Sequence, residues 1–437
     1  MLEAVFNAFK IPDLRRKILF TLAMLVIFRI IASIPVPGVN RDELRSFVED
    51  SQLLGVLNLF SGSGLSNFSI VALGVYPYIT ASIIMQLMTP IIPRLNELSM
   101  EGQQGRNKIN QITHWLTVPL ALLQGYGHAL LFSSQTGSDG QPLLQGFGLF
   151  DTGTVLPSLA ILLSMTAGTM LLVWIGELIT EMGIGNGTSI IIFGGIVANL
   201  PSSISNLFGN SASTDIIAIV FFAAIALITI VGIILVNEGQ RRIPVQHAKR
   251  IRGNRQYGGT STFIPLRVNS AGMIPLIFAV SIMVFPGMIA NFLQSSSREG
   301  VQDVAGWLTR FFSPTSFQYN LIYFLMVVGF TYFYTMVVFQ QQRIPENLQR
   351  QGAFIRGVRP GKQTATYLQR VLNRITLVGA LFLGIVAILP FIASELTGVR
   401  ALQLSATSML IIVGVAIDTM RQLEAQLLMR NYEGFIN

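Results

Sequence analysis

Apolar residues in this chain are grouped into blocks of about twenty, and this grouping limits the possible folds more than any other feature. A helix of about twenty residues is roughly 30 Å long, which matches the hydrocarbon core of a bilayer. Only 11% of the 437 residues are charged, whereas a typical soluble domain has about 25%. The blocks predict membrane-spanning helices near 18–34, 72–92, 112–132, 155–176, 188–207, 215–236, 271–293, 319–339, 375–394 and 402–420.

The basic residues indicate the orientation of these ten spans. The two termini and the loops that follow the even-numbered spans hold 23 of the 29 Lys and Arg residues. The positive-inside rule therefore places both termini in the cytoplasm. Arg15 to Lys17 before the first span also resemble the start of a signal peptide, but Ile34 to Gly38 make a poor cleavage site. We therefore expect an uncleaved first span.

Segment 52–71 is too short to cross a membrane on its own. A brief apolar run ends at Phe60, and Gly62 and Gly64 interrupt it before the second span. One interpretation is a half-helix that enters the protein from outside, where protein or water can surround non-helical backbone. The other is an external amphipathic loop.

Arg29, inside the first span, needs either a protein partner or a route to the membrane interface.

Two long loops, 237–270 and 340–374, carry much of the positive charge. Such loops could be docking surfaces for an acidic partner such as RNA or an acidic protein face. The alternative is ordinary positive-inside charge in contact with anionic lipid. The residues alone leave both interpretations open.

Enzyme and metal-site motifs are lacking in the sequence. There is no cysteine, and the three histidines form no HExxH pair. The segment from Gly357 to Lys362 has the wrong spacing for a phosphate loop, and Gln363 follows the lysine. We expect no bond chemistry, no metal and no cofactor.

A series of motifs, in order along essentially the whole chain, resembles the bacterial SecY family. They are Ile34–Gly38 (the family's I-P-x-P-G), Asn58–Gly62, Ala72–Gly74, Pro77–Ile84, Gly176–Glu177, Ile179–Gly187, Gly239–Ile243 and Gly357–Gly361. One departure is Arg356, because relatives often have proline at this position.

The resemblance implies an all-α polytopic membrane protein. Ten transmembrane helices would form two inverted five-helix halves around a central pore, with a short plug helix near 58–67 on the outer side. Repeats of five spans must be inverted, because five is an odd number. The implied boundaries are a cytoplasmic segment at 1–17, halves at 18–207 and 208–420, and a cytoplasmic tail at 421–437.

The resemblance also assigns roles to particular residues. A lateral gate would lie between spans 2–3 and 7–8 and would admit signal sequences. The implied pore ring is Val75, Ile79, Ile192, Ile277 and Ile411. The implied plug is Leu59, Phe60, Ser61, Gly62, Ser63, Gly64 and Leu65. The implied docking residues for a motor or ribosome are Arg241, Arg242, Arg252, Arg255, Arg356, Arg359 and Lys362. From the residues alone, each member of the ring would be assigned to an ordinary core.

The implied function is a passive, gated channel in the bacterial cytoplasmic membrane. It would conduct unfolded secretory polypeptides and release transmembrane segments sideways into lipid. The implied partners are the small SecE and SecG subunits, the SecA motor ATPase, the ribosome, preproteins that bear signal sequences, and membrane lipid. Two rivals are a secondary transporter, which would favour a polar midplane site, and an intramembrane enzyme, which needs paired catalytic residues at depth.

Overall fold

The structure is a computed structural model in which helices dominate. It describes residues 9–36, 39, 44, 47–48, 54, 58, 61–62, 64–134, 142–144, 146–148, 153–209, 216–247, 250–252, 255–257, 261–272, 274–294, 299–313, 316–397 and 401–433. The helices are α1 (Pro12–Ala32), α2 (Tyr76–Met88), α3 (Pro93–Met100), α4 (Gln103–Ser134), α5 (Val155–Met182), α6 (Gly187–Gly209), α7 (Ile216–Glu238), α8 (Ile274–Gln294), α9 (Glu299–Phe311), α10 (Phe317–Gln342), α11 (Ile344–Arg350), α12 (Lys362–Thr397) and α13 (Ala401–Glu433). The strands are β1 (Gln240–His247), β2 (Arg250–Arg252), β3 (Arg255–Tyr257), β4 (Ser261–Arg267) and β5 (Ala353–Ile355).

Each of the ten predicted spans coincides with a helix, namely α1, α2, α4 to α8, α10, α12 and α13. Within the described residues, three helices are long and apolar enough to cross a bilayer: Val155–Met182, Phe317–Arg350 and Lys362–Leu389. Shorter apolar helices cover Gly187–Asn199, Ala223–Glu238 and Ile274–Met283. The helical fold class is therefore confirmed, and the exact number of spans stays a prediction.

Internal contacts divide the chain into two compact units. Unit 1 contains Met1–Ala224, Ser281–Tyr319 and Pro390–Asn437, and unit 2 contains Ile225–Val280 and Asn320–Leu389. In unit 1, α4 packs against α2, α3 and α5, and α6 packs against α1, α5 and α13. The domain boundaries implied by inverted halves remain a prediction.

Glycine allows close approach of the backbone in unit 1. A Cβ at Gly168 of α5 would collide with the carbonyl oxygen of Ile70, in the segment that precedes α2. A Cβ at Gly187, where α6 begins, would collide with the carbonyl of Gly176 on α5. Small residues at such crossings are typical of helix packing in membranes, where close van der Waals contact replaces the hydrophobic driving force.

Unit 2 contains strands where the sequence predicts basic loops. β1 is the central strand of a three-stranded antiparallel sheet with the order β4-β1-β5, and β2 pairs with β3. Along β1, Ile243 and Val245 are buried, whereas their neighbours Arg242, Pro244 and Gln246 are exposed. This period of two is that of a strand with one buried face. The strand was not predicted from the sequence, because the alternation is short and flanked by charge.

Candidate functional site

The predicted plug, near 58–67, lies at the start of a series of consecutive tight turns, which the structure describes at residues 61–62 and 64–75. Most of these residues are buried, as expected for non-helical backbone that enters a protein within a membrane. The Ser61 hydroxyl donates to the Asn58 carbonyl at 3.1 Å and accepts from the Leu65 N–H at 3.0 Å. Asn58 Oδ1 accepts from the Ser66 N–H at 3.0 Å. Leu59, Phe60 and Ser63 lie outside the described residues.

Arg29 of α1 has its partner in this segment. Its Nη1 donates to the carbonyl oxygen of Gly62 at 2.7 Å. Gly62 has φ of +62°, and a Cβ there would lie 2.6 Å from Phe28 Cζ and 3.0 Å from Gly195 Cα. Only glycine adopts this left-handed conformation readily and also fits against α1 and α6. The arginine that the sequence placed inside the first span therefore binds the predicted plug.

A second attachment holds the other end of the segment. The Val36 N–H donates to the Phe68 carbonyl at 2.9 Å, and the Ile70 N–H donates to the Ile34 carbonyl at 3.1 Å. Phe68 is buried with φ of 41°, a conformation that is unusual for a bulky residue. Its ring contacts Phe132 of α4 edge-on, with centroids 5.4 Å apart. The I-P-x-P-G segment after α1 thus anchors the chain just before α2.

The five predicted pore-ring residues are all buried. Val75 is the N-cap of α2 and Ile79 follows one turn later, so both lie on the same side of the helix. Ile192 lies on α6 and Ile411 on α13, two helices that pack together in unit 1. Ile277 lies on α8 in unit 2. Burial is common to a closed constriction and to an ordinary core, so the ring stays a prediction.

Polar residues within the predicted spans link α2 to α4. Gln124 Nε2 donates to Thr80 Oγ1 at 3.5 Å, and His128 Nδ1 lies 2.9 Å from the Gln124 carbonyl oxygen. All three residues are buried. Gln124 and His128 are one turn apart on one helix, a spacing that could have drawn attention to them.

A second polar contact joins the next pair of helices, α4 and α5. His114 Nε2 lies 2.9 Å from Glu177 Oε1. The ring of Tyr78 on α2 lies 5.8 Å from the His114 ring, measured between centroids. Among the described residues, no group of three or more histidine and acidic side chains is arranged to hold a metal ion.

Five of the predicted docking residues have described side chains, and all of them are exposed in unit 2. Arg241 and Arg242 lie on β1, and the Arg242 guanidinium lies 5.0 Å from the centre of the Phe263 ring on β4. This cation–π geometry restricts the arginine while it stays exposed. Arg356 follows β5 in a turn closed by the Val358 N–H donating to the Ile355 carbonyl at 3.0 Å. Arg359 and Lys362 come directly after that turn.

The backbones of the remaining two predicted docking residues, Arg252 and Arg255, face each other across the β2–β3 pair. β2 and β3 lie between β1 and β4 in the chain.

The two basic loops pack on one buried apolar cluster. Val245 of β1 faces Ile355 of β5 across the sheet, and both pack with Leu368 of α12. The rest of the buried cluster is Ile243, Leu266 and Ala353. The structure therefore unites two segments that are separate loops in the sequence, and it gives their arginines a common scaffold.

Comparison with known proteins gives consistent results along the whole chain. A sequence model of the SecY family matches residues 69–420. Curated relatives named "Protein translocase subunit SecY" include those of Halalkalibacterium halodurans, 44% identical, and Corynebacterium glutamicum, 45% identical, each aligned over all of both chains. The relative from Thermus thermophilus is 43% identical over all of this chain and 98% of its own length.

Solved structures share the fold at lower identity. A chain from "The structure of a protein conducting channel" has a TM-score of 0.61 and 18% identity, with 96% of each chain covered. A chain from "Sec61 in the Canine ribosome-channel complex from the endoplasmic reticulum" has a TM-score of 0.59 and 17% identity, again with 96% of each covered. Because identity is this low, these two likenesses concern the fold alone.

Proposed function

Because this chain belongs to the SecY family, we propose that it is the gated, protein-conducting channel of a bacterial translocase. It conducts unfolded secretory polypeptides across the cytoplasmic membrane and releases transmembrane segments sideways into lipid. The family is one of channels and not of enzymes, so energy for transport comes from a partner or a gradient. Both termini face the cytoplasm in this proposal, because the basic residues concentrate on that side.

The hydrogen bond from Arg29 to Gly62 is the observation that supports gating most directly. In this proposal the segment around 58–67 is the plug, and α1 holds it through one charge-assisted bond and close packing at Gly62. A hydrogen bond to a charged group contributes about 1.5–3 kcal/mol. A contact of that strength keeps the plug seated, and a partner or an incoming chain can still release it.

An apolar constriction suits the proposed cargo. The ring of Val75, Ile79, Ile192, Ile277 and Ile411 would exclude ions by dewetting. Aliphatic side chains form no specific hydrogen bonds, so polypeptides of any sequence can slide past them. In this proposal the lateral gate involves the second and third spans, α2 and α4, and the seventh and eighth spans, α8 and α10.

The basic scaffold of unit 2 is the proposed docking surface. Arg241, Arg242, Arg356, Arg359 and Lys362 present positive charge there, and Arg252 and Arg255 belong to the same loops. We assign this surface to the SecA motor and the ribosome. SecE and SecG complete the membrane complex.

A crosslinking experiment tests the conduction of polypeptides. Single cysteines are introduced at Ser63 and Ile277 of the cysteine-free chain. The chain is reconstituted with its partner subunits, and a secretory chain that carries a photo-crosslinker is stalled during transport. The proposal expects crosslinks to the ring positions and a change in accessibility at residue 63. A stalled chain that contacts neither position, together with flux of a small solute, would support a secondary transporter instead.

A matched pair of variants tests the plug contact. Arg29→Met removes the donor, so ion leakage through idle channels in vesicles should rise. Arg29→Lys keeps a charged donor and should leak less than Arg29→Met. Equal and low leakage from both variants would contradict a role for Arg29 in holding the plug.

A further inference from the structure

Helix α9 is short and amphipathic, and it lies in the chain between α8 and α10. Its 13 residues make about 20 Å of helix, which is too short to cross a bilayer. Its surface divides into three sectors. One faces the protein, one is polar, and one is apolar but exposed.

The protein-facing sector centres on Ala305, which is completely buried. Val301 and Leu308, three or four residues away on the same side, are partly buried. The polar sector includes Gln302, which is exposed. Helix α9 is therefore packed against the protein along one side and is not a free surface helix.

The exposed apolar sector contains Val304 and Trp307, which are exposed, and Phe311, which is partly buried, at spacings that place them on one face. Val304 is 52% exposed and Trp307 is 60% exposed. The Trp307 and Phe311 rings stack with centroids 5.0 Å apart. A Cβ at Gly300, on the same face, would meet no atom within 4 Å. This face is open and apolar.

Ser316 fixes the depth of α9. Its hydroxyl lies within donating distance of two carbonyl oxygens, that of Ser313 at 2.8 Å and that of Phe311, the last residue of α9, at 3.0 Å. The Ser316 hydroxyl oxygen also accepts from the N–H of Tyr319 in the first turn of α10 at 3.2 Å. One side chain therefore joins the end of α9 to the start of a helix that is long and apolar enough to span a bilayer. The start of a spanning helix lies at the membrane interface, so the end of α9 must lie there too.

The distribution of tryptophan agrees with this depth. The chain has three tryptophans, and all are exposed: Trp115 on α4 at 79%, Trp174 on α5 at 57% and Trp307 on α9. Trp115 and Trp174 lie toward the ends of their spans that the positive-inside rule assigns to the cytoplasm. Tryptophan is enriched at both membrane–water interfaces. In the proposed orientation, Trp307 would lie at the opposite interface.

We propose that the face formed by Val304, Trp307 and Phe311 binds the lipid surface of the outer leaflet. Helix α9 lies in the plane of the interface, with its apolar sector in the acyl boundary and its polar sector in water, as amphipathic interfacial helices do. The assignment to the outer leaflet rests on the orientation given under the proposed function. The contact of α9 with lipid requires only that α10 spans a membrane.

Spin labels on two faces of α9 test this placement. Val304→Cys and Gln302→Cys are made in the cysteine-free chain, labelled with a nitroxide, and reconstituted with cysteine-free partner subunits in vesicles of phosphatidylethanolamine and phosphatidylglycerol. The label at 304 should collide more with oxygen, which concentrates in lipid, than with a water-soluble nickel chelate. The label at 302 should show the reverse. Leu321→Cys, at an exposed position of α10, supplies the reference for lipid.

Two outcomes would overturn the proposal. If the label at 304 is as accessible to the nickel chelate as the label at 302, then α9 stands away from the membrane. If neither reagent reaches it, a protein covers this face instead. Protection of a preprotein from protease in the same vesicles reports the proposed conduction separately. Loss of conduction with lipid contact intact would therefore count against the channel and not against the placement of α9.

Discussion

The buried turn segment before α2 and the basic sheet of unit 2 both interrupt the helical pattern, but different contacts hold them. The turn segment, residues 61–62 and 64–75, is joined to α1 and the chain after it by separate hydrogen bonds, namely Arg29 to Gly62 and two backbone bonds to Ile34 and Val36, and by a glycine that fits a narrow space. The sheet depends on continuous backbone pairing between β1 and β4 and on an apolar cluster under one face.

This difference matches two mechanical requirements. Segments held by few contacts open at a lower free energy than segments held by cooperative ones. The proposed plug must be able to leave its position, so a few separate bonds suit it. The proposed docking surface must present its charges in a fixed arrangement, so a sheet over a packed cluster suits it. The following predictions test whether the two segments differ in this way.

The largest effect is expected under the sheet. Leu368→Ala removes a fully buried side chain from the cluster and should lower the free energy of unfolding by about 2–5 kcal/mol. Leu377→Ala, on the same helix but 47% exposed, should cost much less. Thermal unfolding of the purified complex measures both. Similar losses from the two variants would mean that the cluster does not stabilise unit 2.

Gly62→Ala should have the next largest effect, and it should act on the plug. The left-handed conformation costs an alanine about 1–2 kcal/mol, and the new methyl group would also press on Phe28. Ion leakage through idle channels should rise. Gly102→Ala is the control, because Gly102 has φ of +82° but no atom within 4 Å of its Cβ position. Gly102→Ala should lower the free energy of unfolding through backbone strain but should not raise leakage. If both variants leak, the close contact at Gly62 does not hold the plug.

Ser61→Ala should cost less, about 1 kcal/mol, because it removes a hydroxyl that bridges two backbone groups inside the turn segment. We expect a small rise in leakage, below that of Gly62→Ala. Ser33→Ala is the matched control, since the Ser33 hydroxyl also bonds to a backbone carbonyl but is exposed. Leakage from Ser33→Ala as large as that from Ser61→Ala would mean that the buried hydroxyl has no special part in holding the plug.

Arg359→Ala should have the smallest effect on stability, within about 0.5 kcal/mol, because the side chain is exposed. Binding of the motor or the ribosome should nevertheless weaken, as measured by co-sedimentation with vesicles. Arg310→Ala removes an exposed charge on α9, on the opposite side of the membrane in the proposed orientation, and should leave binding unchanged. If the two variants bind the motor or the ribosome equally well, Arg359 is not part of the docking surface.

The helices could be predicted from the sequence, and part of the irregular structure could not. Each apolar block of the sequence coincides with a helix of the structure, because an uncharged apolar run of about twenty residues is typical of a helix that crosses a bilayer. Arg29 could be marked as needing a partner, but a backbone carbonyl such as that of Gly62 leaves no signature in a sequence. The strands escaped notice because β1 contributes only two buried alternating residues, Ile243 and Val245.

The pore ring shows a different limit. Residues such as Ile192 and Ile411 are apolar and buried, which a closed constriction and a packed core both require. Only the family resemblance distinguishes them. Conversely, the helical spacing of Gln124 and His128 could have marked this pair, because side chains four positions apart lie on the same face of a helix.

The strand order β4-β1-β5 has a consequence for how the chain is made. β1 and β4 are close in sequence and can pair soon after the ribosome has synthesised them. β5 is synthesised only after α8, α9 and α10, a delay on the order of ten seconds at bacterial rates of about 5–20 residues per second. During that interval one edge of β1 has no strand beside it. Pairing of β5 with β1 is therefore possible only after the intervening helices have been synthesised, so a nascent chain cannot present the complete proposed docking surface before then.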